Sequence, residues 1–238
     1  KRWKTQRKVS VERFMVKRSL RFGKRAMMGA AVATVGVAAV GYFLLTGNHG
    51  QPFFVPAYTV SRVIDGDTFV TTEKQYIRVA STDAPELERC GGPEAKAELE
   101  KLVLGKPVYL KINFRDPYQR LVSFVYTKDG FVNEKMLSTG YSYYSRTSPG
   151  EIGESLSATG NKAREGKKGI FSPSCTQKTN LAKPKCNIKG NTVSKIYYVP
   201  GCGNYDHVAV QLYLGDQWFC SEKEAVSAEY RKPQQCSN

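Results

Sequence analysis

Between residues 58 and 127, apolar positions come in short runs rich in Val, Ile, Thr, Tyr and Phe, separated by breaks containing Asp, Gly and Pro. The pattern predicts strands over 58–64, 68–72 and 76–80, with a tight hairpin at 73–75. Over 93–104 the spacing becomes helical. Ala95, Leu99, Leu102 and Val103 share one face, Pro93 sits in the first turn and Gly105 follows the end. Strand character returns over 106–114 and 120–127, with a turn between them. Helices are predicted over 132–140 and 151–168. Five short strands, with one helix inserted after the third and two at the end, predict an α+β, mainly β fold: a small five-stranded closed barrel of the OB type with three helices.

That barrel domain spans 58–173. Residues 174–185 carry Lys, Pro, Ser and Thr and read as a linker, and 186–238 have the aromatic and cysteine content of a second small domain. Charge changes the picture at the other end. Residues 1–25 hold 11 Lys and Arg against one acid, Glu12, and so carry +10 of the chain's +15. The rest is only mildly basic, and total charge by itself is weak evidence of a nucleic-acid partner. Residues 26–48 contain no charge. About 20 apolar residues are enough to cross a bilayer, and a basic cluster abutting such a run is the positive-inside pattern. The expectation is a basic cytoplasmic tail over 1–25, a transmembrane helix over 26–46 and a linker over 47–57. The rest of the chain would then lie outside the cytoplasm, in the periplasm or at the cell exterior. A buried soluble helix leaves the basic flank unexplained, and for a cleaved signal peptide the basic region is unusually long and no clear A-x-A site follows the run. Small residues spaced in fours (Gly29, Ala33, Val37, Gly41) hint at helix pairing. A basic, acid-poor N-terminus also suits a mitochondrial membrane, should the chain be eukaryotic.

Six cysteines, Cys90, Cys175, Cys186, Cys202, Cys220 and Cys236, all follow the apolar run. An even number on the predicted outer side argues for disulfides, with 15 connectivities open. No C-x-x-C spacing occurs, which argues against zinc.

The candidate chemistry begins in RVIDGDTFV, residues 62–70. Asp65-Gly66 reads as a hairpin turn requiring positive φ, whereas Asp67 has no such structural role. Arg78 interrupts the third strand, Asp83 and Glu86 follow it, and Arg120 opens the fifth. Singly, each is ordinary turn or ion-pair chemistry. Together, the acids are hard oxygen ligands suited to calcium or magnesium, and the arginines are planar forks suited to phosphate oxygens. That set suits phosphodiester hydrolysis, in which a metal and arginines stabilise charge while a carboxylate handles water. Histidine catalysis has little support, with His49 beside the apolar run and His207 in the second domain.

The series VIDGDTFV, YIRVASTDAPE, GPEAKAELEKLV, DPYQRLVSFVY, VNEKMLSTGY and AREGKKGIF, spread in order over 58–172, resembles the staphylococcal nuclease family. The resemblance implies an OB-fold barrel and a calcium-dependent nuclease acting on DNA and RNA, with single strands preferred and no small-molecule cofactor. It also implies that Asp67 and Asp83 are calcium carboxylates, with Ala84 supplying a backbone carbonyl. Glu86 would order the attacking water, and Arg78 and Arg120 would bind the phosphate, leaving 3′-phosphate ends. Tyr118 would contact the nucleotide, and Tyr143 and Tyr144 fall in the family's nucleotide-stacking region. Ala84 stands where the best-known member has threonine, and Pro117 where it has lysine.

The stretches CNIKGN, KIYYVPGCGNYD and QWFCSEKEAVSAEYRKPQQC resemble a module appended to bacterial secreted nucleases, and the metal-binding domain of the Ada DNA-repair protein. Tyr198 replaces the module's usual histidine and Glu229 its usual glycine. It reads either as an anchor for nucleic acid or cell wall, or as a disulfide-stapled structural unit whose core is too small to be stable unaided. Cys90 and Cys175, which flank the barrel domain, are expected to pair, leaving two bridges for the module. Trp218, Phe219 and Ala225 are expected in its core. Two alternatives to an enzyme remain: a non-catalytic membrane tether binding single-stranded nucleic acid through the barrel, and a structural envelope protein with a relic barrel. Oligomeric state is not legible.

Overall fold

The chain is described by a computed structural model over residues 57–146 and 150–236. The basic tail, the apolar segment 26–46 and the linker up to residue 56 lie outside the described residues. Among those described, no helix is long and apolar enough to cross a membrane.

The first part of the chain runs β1 (Tyr58–Val63), β2 (Thr68–Thr71), β3 (Tyr76–Val79), β4 (Thr82–Asp83), α1 (Gly92–Val103), β5 (Pro107–Arg115), β6 (Leu121–Thr127), β7 (Gly130–Phe131), α2 (Val132–Thr139), β8 (Tyr143–Tyr144) and α3 (Glu151–Glu165). The large sheet is ordered β3-β2-β1-β5-β6-β7, and a parallel β3–β6 pairing, with Arg78 opposite Val122, closes five strands into the expected OB-like barrel. Closure removes the sheet edges that would otherwise invite intermolecular pairing.

The barrel interior is filled by Val60, Phe69, Ile77, Val79, Val108 and Val125, and Leu99 and Val103 of α1 and Met136 of α2 pack onto it. Six of the seven β6 residues are buried, because β6 is covered on both sides. Its outer face, with Val122 and Phe124, packs under Leu137 of α2 and Leu156 of α3. The fully buried Asn133 ties these layers together. Its Oδ1 accepts from Val125 N–H at 2.9 Å and its Nδ2 donates to the Ala80 carbonyl at 2.7 Å.

Two features depart from the hydrophobic pattern. The short β4–β8 ladder, pairing Thr82 with Tyr144 and Asp83 with Tyr143, was not predicted. Two residues per strand are too few to show a period. The third helix ends at Glu165 rather than 168, and a separate turn, Gly169–Phe171, follows.

The rest of the chain holds β9 (Thr176–Gln177), β10 (Ile188–Asn191), β11 (Ile196–Tyr198), β12 (Val210–Gln211), β13 (Gln217–Phe219) and α4 (Glu222–Ser227). A sheet ordered β11-β10-β13 covers a core of Ile188, Tyr197, Phe219, Ala225 and Tyr230. Trp218 is only half-buried and donates its indole N–H to Gln177 Oε1 at 2.7 Å. Cys186–Cys220 and Cys202–Cys236 staple this module, and Cys90–Cys175 closes the barrel part. Residues 174–185, read as a linker, contain β9, which pairs with β12 across the gap. Glu229 has φ 66°, a left-handed conformation that glycine adopts without steric cost, which accounts for the glycine usual there.

Candidate active site

The turn between β1 and β2 places Asp67 at the mouth of β2. Asp65 Oδ1 accepts from Asp67 N–H at 3.0 Å, an Asx turn that sets the direction of the second aspartate. Gly66 serves a different purpose from the expected one. It is not in the left-handed region. A Cβ there would sit 2.5 Å from the Cβ atoms of both Ala84 and Ala95. The glycine therefore lets the turn, the segment after β4 and α1 meet without clashing.

Asp67 is 5% exposed and both its carboxylate oxygens are engaged. Oδ1 accepts from Thr68 Oγ1 at 2.9 Å and from Arg78 Nη1, and Oδ2 accepts from Ala84 N–H at 3.0 Å. Arg78 also donates through Nη2 to Asp83 Oδ1, so one guanidinium bridges two carboxylates. β3 makes this possible. Ile77 and Val79 point into the barrel, so Arg78 points outward between them. Burial opposes the Arg78 cation, but Asp67 and Asp83 outweigh it and hold its pKa above the usual guanidinium value. Burial pushes Asp83 above the usual carboxylate range. Arg78 pulls it back, while Asp67 adds to the rise.

Arg120 sits on the adjoining wall, held by Asp116. Its Nε donates to Asp116 Oδ2 at 2.8 Å, and the N–H groups of Arg120 and Tyr118 donate to Oδ1 at 2.9 and 3.0 Å. Burial works against the Asp116 carboxylate, but these donors outweigh it and keep its pKa below the usual range. Arg120 Nη1 lies 3.4 Å from Thr68 Oγ1, which links it to the Asp67 cluster. Arg78, Ala80, Phe114, Arg120 and Ser145 line one open cleft.

Glu86 is exposed on the loop beyond β4, close enough to add to the Asp83 rise. Its carbonyl would be 2.1 Å from a Cβ on Gly92, so that glycine lets the loop fold back on α1. Tyr118 is 80% exposed with its ring 5.4 Å from the Arg120 guanidinium. The two tyrosines of β8 are placed differently from each other. Tyr144 packs against the Val122–Leu156 layer, whereas Tyr143 interacts through its hydroxyl with Asp83. Burial first, then the Asp83 charge, pushes Tyr143 up to about 12.

Thr68 and Asp116 escaped the sequence reading. Their signals were a hydroxyl directly after Asp67 and an acid opening the DPYQ turn, and both patterns also occur without any functional role.

Among the described residues, no group of three or more His, Cys, Asp and Glu gathers as a metal cluster. The donor set is smaller: the Asp67 and Asp83 carboxylates, with Ala84 beside them. These two hard-oxygen ligands already converge on one shared cation, the Arg78 guanidinium, and so fit a divalent ion such as calcium.

A family model described as staphylococcal nuclease homologue matches residues 76–173, which contain Arg78, Asp83, Glu86 and Arg120; Asp67 lies just before the match. An "uncharacterized endonuclease" of Escherichia coli O157:H7 is 33% identical over 118 residues, 48% of this chain and 75% of that protein. A probable staphylococcal-like nuclease of Oryza sativa subsp. japonica is 35% identical over 81 residues, 34% of this chain and 22% of that protein. A probable endonuclease of Leptosphaeria maculans is 29% identical over 139 residues, 52% and 47% of the two chains. The matches to larger relatives are partial: the chain spans 35% of a protein from Capnoides sempervirens and 22% of the rice nuclease.

Proposed function

The chain belongs to the staphylococcal nuclease family, and from that premise we propose that it is a calcium-dependent nuclease hydrolysing phosphodiester bonds of DNA and RNA, single strands preferentially. The carrying observation is the cluster in which Arg78 bridges Asp67 and Asp83 while Arg120, braced by Asp116, faces the same cleft. Asp67, Asp83 and the Ala84 carbonyl would hold calcium, which when bound supplies positive charge against the phosphate oxygens. Arg78 and Arg120 bind those oxygens as planar forks and stabilise the charge that develops in the transition state. Glu86 orients water and takes its proton. Attack opposite the 5′ oxygen forms the new P–O bond and breaks P–O5′, and the departing O5′ takes up a proton from solvent, leaving a 3′-phosphate and a 5′-hydroxyl. Tyr118, largely exposed beside Arg120, offers a face on which a base can stack.

We also propose a single-pass membrane anchor at 26–46, with the nuclease outside the cytoplasm. The basic run flanking that segment and the three disulfides support this placement.

The deciding experiment is digestion of single-stranded DNA with calcium, with chelator, and with Arg120→Ala. Chelation is expected to abolish cleavage, and the substitution to slow it by on the order of a thousandfold. Equal activity in all three conditions overturns the proposal. Salt-sensitive binding without cleavage would identify a tether instead.

A further inference from the structure

The C-terminal module reaches the β4–β8 ladder that carries Asp83. Tyr143 lies directly opposite Asp83 in the β4–β8 ladder, so the two side chains stand on the same face, with the hydroxyl near enough to act on that carboxylate. Against its ring stands Tyr213 of the module, with centroids 5.9 Å apart and planes tilted by 53°. Tyr213 is 1% exposed and wedged between Tyr143 and Phe171, the latter 5.8 Å away edge-on.

The wedge is held firmly. Leu212 N–H donates to the Cys175 carbonyl at 2.8 Å, and β12 just before it pairs with β9. Cys175 is bonded to Cys90, a few residues beyond Asp83 and Glu86. On the module side, Asp216 accepts from Gln211 N–H at 3.1 Å and from Thr192 N–H at 2.9 Å, which closes the loop around Tyr213. A residue 130 positions from Asp83 in sequence is thus two side chains from it in space.

From this arrangement we infer that Tyr213 is a positioning residue: it holds Tyr143 against Asp83, and Tyr143 fixes the orientation of the Asp83 carboxylate, making the module a working part of the cleft rather than an appended anchor. The inference rests on the proposed role of Asp83 in holding calcium. A carboxylate's terminal torsion is soft, and Arg78 engages only Oδ1 of Asp83, so a second partner fixes the group further. Outer partners of metal ligands change affinity by about 10–100-fold. The ring of Tyr213 does the wedging, because its hydroxyl is turned away to donate to Gln211 Oε1.

The test is calcium binding to the full chain by titration calorimetry, without nucleic acid, on variants first checked for wild-type circular dichroism. Tyr143→Phe keeps the packing and loses the hydroxyl, and is expected to weaken binding about tenfold or more. Tyr213→Ala is expected to do the same, with Tyr213→Leu as its substitute if the alanine variant does not fold, and Tyr213→Phe is expected to bind as the wild type does. Because both residues act through one carboxylate, Tyr143→Phe with Tyr213→Ala is expected to bind no more weakly than the worse single variant. Wild-type binding by Tyr143→Phe or by Tyr213→Ala, weakened binding by Tyr213→Phe, or effects that add in the double variant overturn the inference and leave the nuclease reading standing. A wild-type chain that binds no calcium overturns the calcium site and this inference together.

Discussion

Asp67 shows how much of a site can rest on one side chain. Its two oxygens satisfy a hydroxyl, a guanidinium and a backbone amide at once. Asp67→Asn removes the charge and turns one acceptor into a donor facing Arg78 or the Ala84 amide. Cleavage of single-stranded DNA in calcium is expected to fall about a hundredfold or more, measured as kcat/KM. Asp116 acts at one remove, through Arg120. Its pKa is lower in the folded chain than the ordinary 3.8, so its contribution to stability is fully present above that value and is lost as pH falls through the lower, folded one. Urea unfolding is expected to show the wild type more stable than Asp116→Asn at about pH 6, with the gap closing toward about pH 2. A gap independent of pH would mean that the Arg120 contact contributes nothing electrostatic.

Between elements, the decisive contacts are close approaches rather than strong bonds. β2, the segment after β4 and α1 converge on Gly66, where no Cβ fits. Gly66→Ala must push on Ala84 and Ala95, and overpacking of this kind costs about 1–3 kcal/mol. Chemical denaturation is expected to show that loss, together with reduced cleavage because Ala84 sits beside Asp67. Adding Ala84→Gly relieves one of the two clashes and is expected to restore part of both. No recovery would place the damage elsewhere in the turn.

At the scale of the molecule, the disulfides distribute stability unevenly. Cys90–Cys175 links residues 85 apart, while each bridge in the module links residues 34 apart. Closing the longest loop removes the most freedom from the unfolded chain. Replacing Cys90 and Cys175 together by serine is expected to cost about 2–5 kcal/mol in urea unfolding. The module bridges serve a unit whose core consists of five residues, Ile188, Tyr197, Phe219, Ala225 and Tyr230.

Period and punctuation were enough to find the barrel. Strands 58–63, 68–71, 76–79, 107–115 and 121–127 fall within a residue or two of their predicted bounds, because alternation and turn residues are local signals. Asp67, Arg78, Asp83, Glu86 and Arg120 stand out in the chain itself as carboxylates and arginines set in or beside apolar strands. The structure brings Asp67, Arg78 and Asp83 into one cluster with Arg120 one hydroxyl away, while the roles given to them are proposals. Contacts between residues distant in the chain were not legible. β4 and β8 are too short to carry a pattern, and the sequence around Gly66 carries only a turn signal, whereas the approach of Ala84 and Ala95 is what requires glycine there. Tyr143 and Tyr144, adjacent and chemically alike, were separated only by packing, one toward Asp83 and the other into the Val122–Leu156 layer. Neighbours in sequence determine which way a side chain can point. What it meets there is set by chain closure, which brought Tyr213 from the far end of the molecule to the back of Asp83.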